Sequence, residues 1–274
     1  MPDSVQTAVF KEGSTTYFNS SLFFAPSILE EVKILYGFVR VADDFVDSTP
    51  QDAKGFLRFA HRYRQALAGH LSGDPIIDSY VALADRRGFD PAWTEAFLSA
   101  MESDLHKHYY ASEAETLRYV YGSAEVIGLF MSRIMGLPAD AEEPARLLGR
   151  AMQYINFIRD VNEDRKLGRR YLPIEGTGLA EDWVPDPEEA AKQPEAWASF
   201  IHTHLDRYRT WQTEAEKGYA YIPRRSRAAV KTAGDMNNWT GSVIQKDPLV
   251  VFNRKVKPKK SLIMATAIMN MIRG

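Results

Sequence analysis

Apolar residues recur along this chain with the period of an α-helix. Ile28, Val32, Leu35, Val39, Ala42 and Val46 follow one another at alternating spacings of four and three, which is one helical face. Pro26 and Pro50 bracket that segment, and Ser27 stands where an N-cap is expected. The same pattern predicts helices at about 52–70, 75–87, 91–110, 113–136, 140–167, 194–220, 224–246 and 259–272. Pro75, Pro91, Pro138, Pro144, Pro223 and Pro258 fall at or near the breaks, where proline is tolerated. No stretch alternates polar and apolar residues with period two for long enough to make a strand. The clearest loop is PIEGTGLAEDWVPDP at 173–187. It reads as a surface loop rather than a linker, because the helical pattern is alike on both sides. The expectation is one all-α domain over residues 1–274, a helical bundle with a central cavity between facing helices.

Composition removes several chemistries. The chain has no cysteine, which excludes disulfides, thiolate zinc sites and cysteine nucleophiles. Thirty-four basic against 36 acidic side chains leave a net charge of −2, so no global field favours nucleic acid as a partner. The N-terminal MPDSVQTAVFKEGSTTYF lacks the basic-then-apolar order of a secretory signal. The apolar stretch Leu262–Ile272 is too short for the ~20 residues that span a bilayer. A cytoplasmic location follows as the expectation. The basic run RKVKPKK at 254–260 reads first as a solvated tail, and second as a peripheral contact with anionic lipid headgroups. Nothing in the pattern sets an oligomeric state.

Two acidic segments carry the candidate chemistry. In YGFVRVADDFVD, Tyr36, Arg40, Asp43 and Asp47 form one helical stripe. Carboxylates at i and i+4 repel each other, and a divalent cation between them relieves that repulsion. Mg²⁺ suits such a place, since it takes oxygen ligands and binds through one or two carboxylates plus substrate phosphates. A solvated acidic helix edge, with Arg40 simply pairing Asp43 or Asp44, is the plain alternative. In QYINFIRDVNEDR, Gln153, Asn156, Asp160 and Asp164 form a second stripe, beside a flank of Met152, Ile155, Ile158 and Val161 that would face a core. Two such ladders facing each other would trap Mg²⁺ and a polyphosphate. Arg40, Arg159, Arg165, Arg169 and Arg170 offer planar donors for phosphate oxygens, although ordinary ion pairing is the better reading of Arg165. Acids, Mg²⁺ and arginines with no nucleophile suit the ionisation of an allylic diphosphate, whose carbocation must be kept from water.

At these segments the sequence resembles the squalene and phytoene synthase family, the head-to-head prenyl transferases. YGFVRVADDFVD is similar to the family's first aspartate motif, and QYINFIRDVNEDRKLGRRYLP to its second. TTYFNSSLFFAP at 15–26, YVYGSAEVIGLFMSRIMGL at 119–137 and NNWTGSVIQKDPLVVFNRKVKP at 237–258 agree as well, the last with bacterial phytoene synthases. The resemblance runs from about residue 14 to 260. It implies an all-α isoprenoid-synthase fold, and Asp43, Asp47, Asp160 and Asp164 as Mg²⁺ ligands, with Mn²⁺ as a substitute. It implies Gln153 and Asn156 lining the metal and diphosphate site, with Asn156 among the ligands. Arg40, Arg159 and Arg169 would contact diphosphate or flank it. Tyr36 and Tyr171 would stand near the reacting centre, Phe18 in the tail channel, and Ala124 and Gly128 on a small-residue helix. Asp44 and Glu163 face another side of their helices. Two positions depart from the family pattern: Glu125, where glycine is frequent, and Asn237, where a tyrosine is.

The implied reaction joins two prenyl diphosphates through a cyclopropylcarbinyl diphosphate. The preferred product is phytoene from geranylgeranyl diphosphate. Dehydrosqualene or squalene from farnesyl diphosphate is the alternative, with NADPH needed only for squalene. Rival readings are a chain-elongating synthase, a class I terpene cyclase and a catalytically inactive scaffold. Elongating enzymes pair two DDxxD motifs, and the second motif here, Asp160-x-x-Glu163-Asp164 preceded by Asn156, argues against elongation; the LGRRYLP flank argues against a cyclase, and the presence of all four acids against a scaffold. His106 and His108 lie two apart, do not share a helix face, and read as surface residues rather than a metal pair.

Overall fold

The computed structural model describes residues 24–273. Helix α1 (Pro26–Asp47) starts on Pro26 itself, with Ala25 as an N-cap that makes no side-chain bond, so Ser27 is already inside the helix. The next starts follow the local code. Asp52 caps α2 (Ala53–Leu67), Asp74 caps α3 (Pro75–Arg87) and Asp90 caps α4 (Pro91–Ser103), each carboxylate accepting a backbone N–H of the first turn. Gly88 ends α3 in the left-handed region at φ 64°. Helix α4 stops at Ser103, not near 110, because residues 104–110 turn away. Among the described residues there is no strand, only an isolated parallel bridge between Tyr109 and Arg170.

A capping box of Ser112 and Glu115 opens α5 (Glu113–Val120). Its helical path continues through one π turn, Tyr121–Glu125, into α6 (Val126–Ile134). Helix α7 (Glu142–Arg159) is interrupted at Asp160 and resumes as α8 (Val161–Lys166). The 173–187 loop is followed by a short helix, α9 (Pro187–Lys192), that the apolar period did not reveal. Helices α10 (Pro194–Glu216) and α11 (Arg224–Lys246) come next, then α12 (Val250–Asn253) and α13 (Lys260–Arg273).

Helix α7 is the central element and packs along α10, α6 and α11. Its neighbours approach unusually closely. A Cβ on Gly128 would lie 2.1 Å from the Ala145 carbonyl oxygen, and one on Gly149 would lie 2.3 Å from that of Ala124. Only hydrogen allows these backbones to touch. On the other flank Gly241 of α11 faces Ile155, and Gly218, in the turn after α10, rests on Pro144, so α11 runs in the same direction as α7. A cavity of about 320 Å³ lies between these helices, within the range of small-molecule sites. It follows α7 from Ala141 to Asn156, about 22 Å at 1.5 Å per residue. Its walls are mostly Ala, Gly, Met, Val and Ile, and its polar end is Tyr36, Gln153 and Asn156. An aromatic cluster sits behind α1, with Phe38 stacked on Tyr80 at 3.9 Å.

Candidate active site

The first acid ladder lies on the last turns of α1, beyond the polar end of the cavity. Arg40 donates from Nη1 to Asp43 Oδ2 at 3.3 Å and lies 2.5 Å from Asp44 Oδ1. Burial of the Asp43 carboxyl, reinforced by the neighbouring Asp47 charge, pushes its pKa up to about 7, and Arg40 offsets only part of this. The ladder is therefore short of positive charge.

The second ladder survives the interruption of its helix. The Asp160 N–H donates to the Asn156 carbonyl at 2.7 Å, and the Asp164 N–H to the Asp160 carbonyl at 2.9 Å. Gln153 and Asn156 therefore face the cavity, and Asp160 and Asp164 follow in the next turns. Both Arg159 and Lys255 Nζ bind Asp160, the lysine at 3.1 Å. Burial would raise the Asp160 pKa, but these two cations outweigh it and hold the carboxyl below its ordinary range. Asp164 has the opposite fate. Burial, then the charge of Asp160, pushes it well above the carboxylate range.

Arg169 joins the two ladders. Gly168, at φ 71°, turns the chain sharply after α8, and the Arg169 N–H returns to the Asp164 carbonyl at 2.8 Å. The guanidinium donates to Asp47 Oδ1 at 2.8 Å, to the Val46 carbonyl at 2.7 Å and to the Asp104 carbonyl at 3.3 Å. Behind it lies Asp104, which the sequence reading did not single out. This carboxylate is buried and accepts from Tyr119 Oη at 2.7 Å and Tyr171 Oη at 2.8 Å. Burial pushes its pKa up to about 6, with the Tyr119 hydrogen bond and Arg169 opposing. Tyr171 is stacked on Phe157 at 4.5 Å, behind the acids rather than among the cavity-lining residues.

Other expected residues are distributed as follows. Tyr36, Gln153, Asn156, Ala124 and Gly128 line the cavity. Phe18 and most of the 15–26 segment lie outside the described residues. Arg170 is not available to a phosphate, because its guanidinium donates to the carbonyls of Leu172, Tyr110, Trp183 and Glu181 and ties the loop down. Arg165 pairs loosely with Asp186 at 3.9 Å, a residue 21 positions along the chain and not the i,i+4 partner expected. His106 and His108 are exposed along an open cleft. Glu125 is buried in the π turn and clamped by Arg146 and Arg150 at 2.9 and 2.7 Å. Asn237 is buried, with no partner for its Nδ2 donor among the described residues. The basic run is not simply a solvated tail, since Lys255 sits on Asp160 and Val256 is fully buried.

The donors suit a hard divalent cation. They are carboxylate oxygens, and those of Asp43 and Asp164 have their pKa values raised by burial and by a neighbouring carboxylate, which a bound cation would offset. Among the described residues no three acidic, histidine or cysteine side chains converge on one point. An ion would therefore take one or two carboxylates and complete its shell with water and phosphate oxygens, the usual habit of Mg²⁺.

Comparison with known proteins shows the family. The squalene/phytoene synthase family model matches residues 10–261. The chain belongs to the squalene/phytoene synthase family. Members of this family are prenyl transferases, so the protein is an enzyme of the transferase class. The chain is 29% identical over 271 residues to a 15-cis-phytoene synthase of Synechocystis sp., covering 92% of this chain and 80% of the relative. It is 28% identical over 251 residues to the 15-cis-phytoene synthase of Pantoea ananas, covering 85% and 79%. Among solved structures, a dehydrosqualene synthase superposes with a TM-score of 0.83 at 20% identity, over 100% of this chain and 99% of its own. The squalene synthase of Alicyclobacillus acidocaldarius superposes with a TM-score of 0.77 at 18% identity, over 89% and 93%. These neighbours establish the all-α isoprenoid-synthase fold. No helix among the described residues is long and apolar enough to cross a membrane.

Proposed function

We propose that this enzyme condenses two molecules of geranylgeranyl diphosphate head to head to give phytoene. The observation that carries the reading is the meeting of two acid ladders, through Asp47, Arg169 and Asp164, beyond the polar end of a long apolar cavity. The phytoene synthase relatives support the choice of product. The cavity's length along α7, comparable with an extended geranylgeranyl chain, is in keeping with it.

Each feature has a task in that reaction. Asp43, Asp47, Asp160 and Asp164, with the side-chain amide oxygen of Asn156, would hold Mg²⁺ or Mn²⁺, which when bound neutralises a diphosphate leaving group. Arg40 and Arg159 flank the same place and supply charge-assisted hydrogen bonds to diphosphate oxygens. Tyr36, Gln153 and Asn156 mark the border where polar headgroup gives way to prenyl tail. Beyond them the lining is largely apolar, the hydroxyls of Ser123 and Tyr219 apart, so a carbocation survives long enough to be captured by the second alkene. The first diphosphate leaves as that cation forms, and capture by the alkene with loss of a proton to the released diphosphate gives a cyclopropylcarbinyl diphosphate. Expulsion of the second and rearrangement give the linear hydrocarbon. Proton loss at the end needs no NADPH, whereas squalene would.

The mutational test is Asp43→Asn and Asp160→Asn. Both should lose hydrocarbon formation and Mg²⁺-dependent pyrophosphate binding while still unfolding cooperatively, Asp43→Asn at or above the wild-type temperature and Asp160→Asn somewhat below it, because the latter gives up its pairing with Arg159 and Lys255. Retained product formation in either would contradict the assignment of the ladders.

A further inference from the structure

Two internal cations occupy the acid ladders from outside their own helices, and they are held very differently. Arg169 is 5% exposed and spends its guanidinium on a carboxylate and two carbonyls, next to a tyrosine hydroxyl. It is part of the frame. Lys255 comes from the non-helical segment between α12 and α13. Its side chain is 35% exposed, and among the described residues its ammonium pairs with Asp160 Oδ1 at 3.1 Å and Glu163 Oε1 at 3.7 Å. The chain beside it is fixed, because Val256 is fully buried and the Phe252 carbonyl accepts from Asn162 Nδ2 at 3.3 Å. So the anchor of Lys255 stays at the second ladder, whereas its ammonium is on a flexible four-carbon stem with exchangeable contacts.

We propose that Lys255 is an exchangeable counter-ion of the diphosphate site. In the empty enzyme its ammonium neutralises Asp160. When a metal-bound diphosphate arrives, the cation takes Asp160, and the displaced ammonium turns to the incoming phosphate oxygens. The inference rests on the reading of the four aspartates as metal ligands and adds a residue to it. A single side chain would then weaken binding of the metal alone and strengthen binding of the metal with its diphosphate. The site would favour the loaded substrate over a bare ion. Arg159, the other partner of Asp160, is on the ladder's own helix adjacent to that carboxylate and stays with it.

The consequence has opposite signs for two probes, which a structural defect would not produce. Titrating Mn²⁺ alone into Lys255→Gln should show tighter binding than in wild type, by about two- to fivefold, because one partly exposed competing charge has gone. Titrating inorganic pyrophosphate at saturating Mn²⁺ should show weaker binding, by about tenfold, because one charge-assisted hydrogen bond has gone. Lys255→Arg should restore both constants toward wild type. Calorimetry on the purified full chain reads both constants without turnover, and the unfolding temperature confirms that the variants are folded. Equal weakening of both probes, or no change in either, would overturn the role of Lys255 while leaving the metal site standing. Failure of wild type itself to bind pyrophosphate with Mn²⁺ would overturn both.

Discussion

Replacing Asp43 by Asn should stabilise the empty protein at pH 8 and abolish its product. In the folded state burial and Asp47 raise the Asp43 pKa from 3.8 to about 7. At 1.36 kcal/mol per unit, a shift of roughly three units sets a ceiling of about 4 kcal/mol. The side chain is 33% exposed, so solvent screens much of this, and the variant also loses the 3.3 Å contact with Arg40. About 1–2 kcal/mol remains. For a chain of this size that corresponds to a rise in Tm of about 3–6 °C. A carboxyl with a raised pKa binds its proton more tightly when folded. Its stabilising contribution is complete below pH 3.8 and is lost as pH rises through about 7. Asparagine cannot ionise, so the variant's advantage at pH 5 should be about two fifths of that at pH 8, where it is nearly full. Asp104, raised to about 6, acts with the same sign, and buried His204, lowered to about 3, with the opposite one. Both cancel when wild type is subtracted from variant at each pH. The assay is thermal unfolding of both proteins with a chelator present, at pH 5 and 8. An unchanged Tm at pH 8, or the same gain at both pH values, would refute the claim that Asp43 is held in a strained, proton-retaining state.

Three further outcomes are expected. Gly128→Ala puts a methyl group 2.1 Å from a backbone oxygen, so α6 and α7 must separate. The cost should be about 2 kcal/mol or more, read by urea unfolding, whereas Gly136→Ala would be disfavoured for its positive φ rather than for lack of space. Glu125→Ala leaves Arg146 and Arg150 facing a pocket that is 1% exposed at the glutamate, and should cost about 3–5 kcal/mol in the same assay, more than Glu143→Ala at the exposed end of the cluster. Chelation of divalent cations should abolish hydrocarbon formation without unfolding the chain, and added Mg²⁺ should restore it. A protein that stays active in excess chelator would contradict the cation requirement.

Much of the helical layout was legible because its signals are local. Proline and a capping aspartate or serine mark the starts of α2, α3, α4 and α5 within a few residues. The two ladders were legible for the same reason, as i,i+3 and i,i+4 spacings need no knowledge of the fold. Asp104 was not, because it stands after the end of α4 without a motif. Its meaning comes from Tyr119 and Tyr171, respectively 15 and 67 positions away. Lys255 was hidden by its company, since five basic residues in seven suggest a solvated run. Only the buried Val256 beside it shows that the segment is anchored. The break at Asp160 was also invisible, because the helical bonds on either side preserve the register that the pattern reports. Arg169 could be placed near the acids from sequence, but its role in linking Asp47 to the second ladder needed the fold.

The most direct measurement of the central claim is the product itself. Purified enzyme with Mg²⁺ would receive geranylgeranyl or farnesyl diphosphate separately, with and without NADPH, and the hydrocarbons would be identified by mass spectrometry. The account predicts phytoene from geranylgeranyl diphosphate, independent of NADPH. Dehydrosqualene or squalene from farnesyl diphosphate in its place would contradict the assigned chain length. A folded enzyme that makes no hydrocarbon from either substrate would contradict head-to-head condensation altogether.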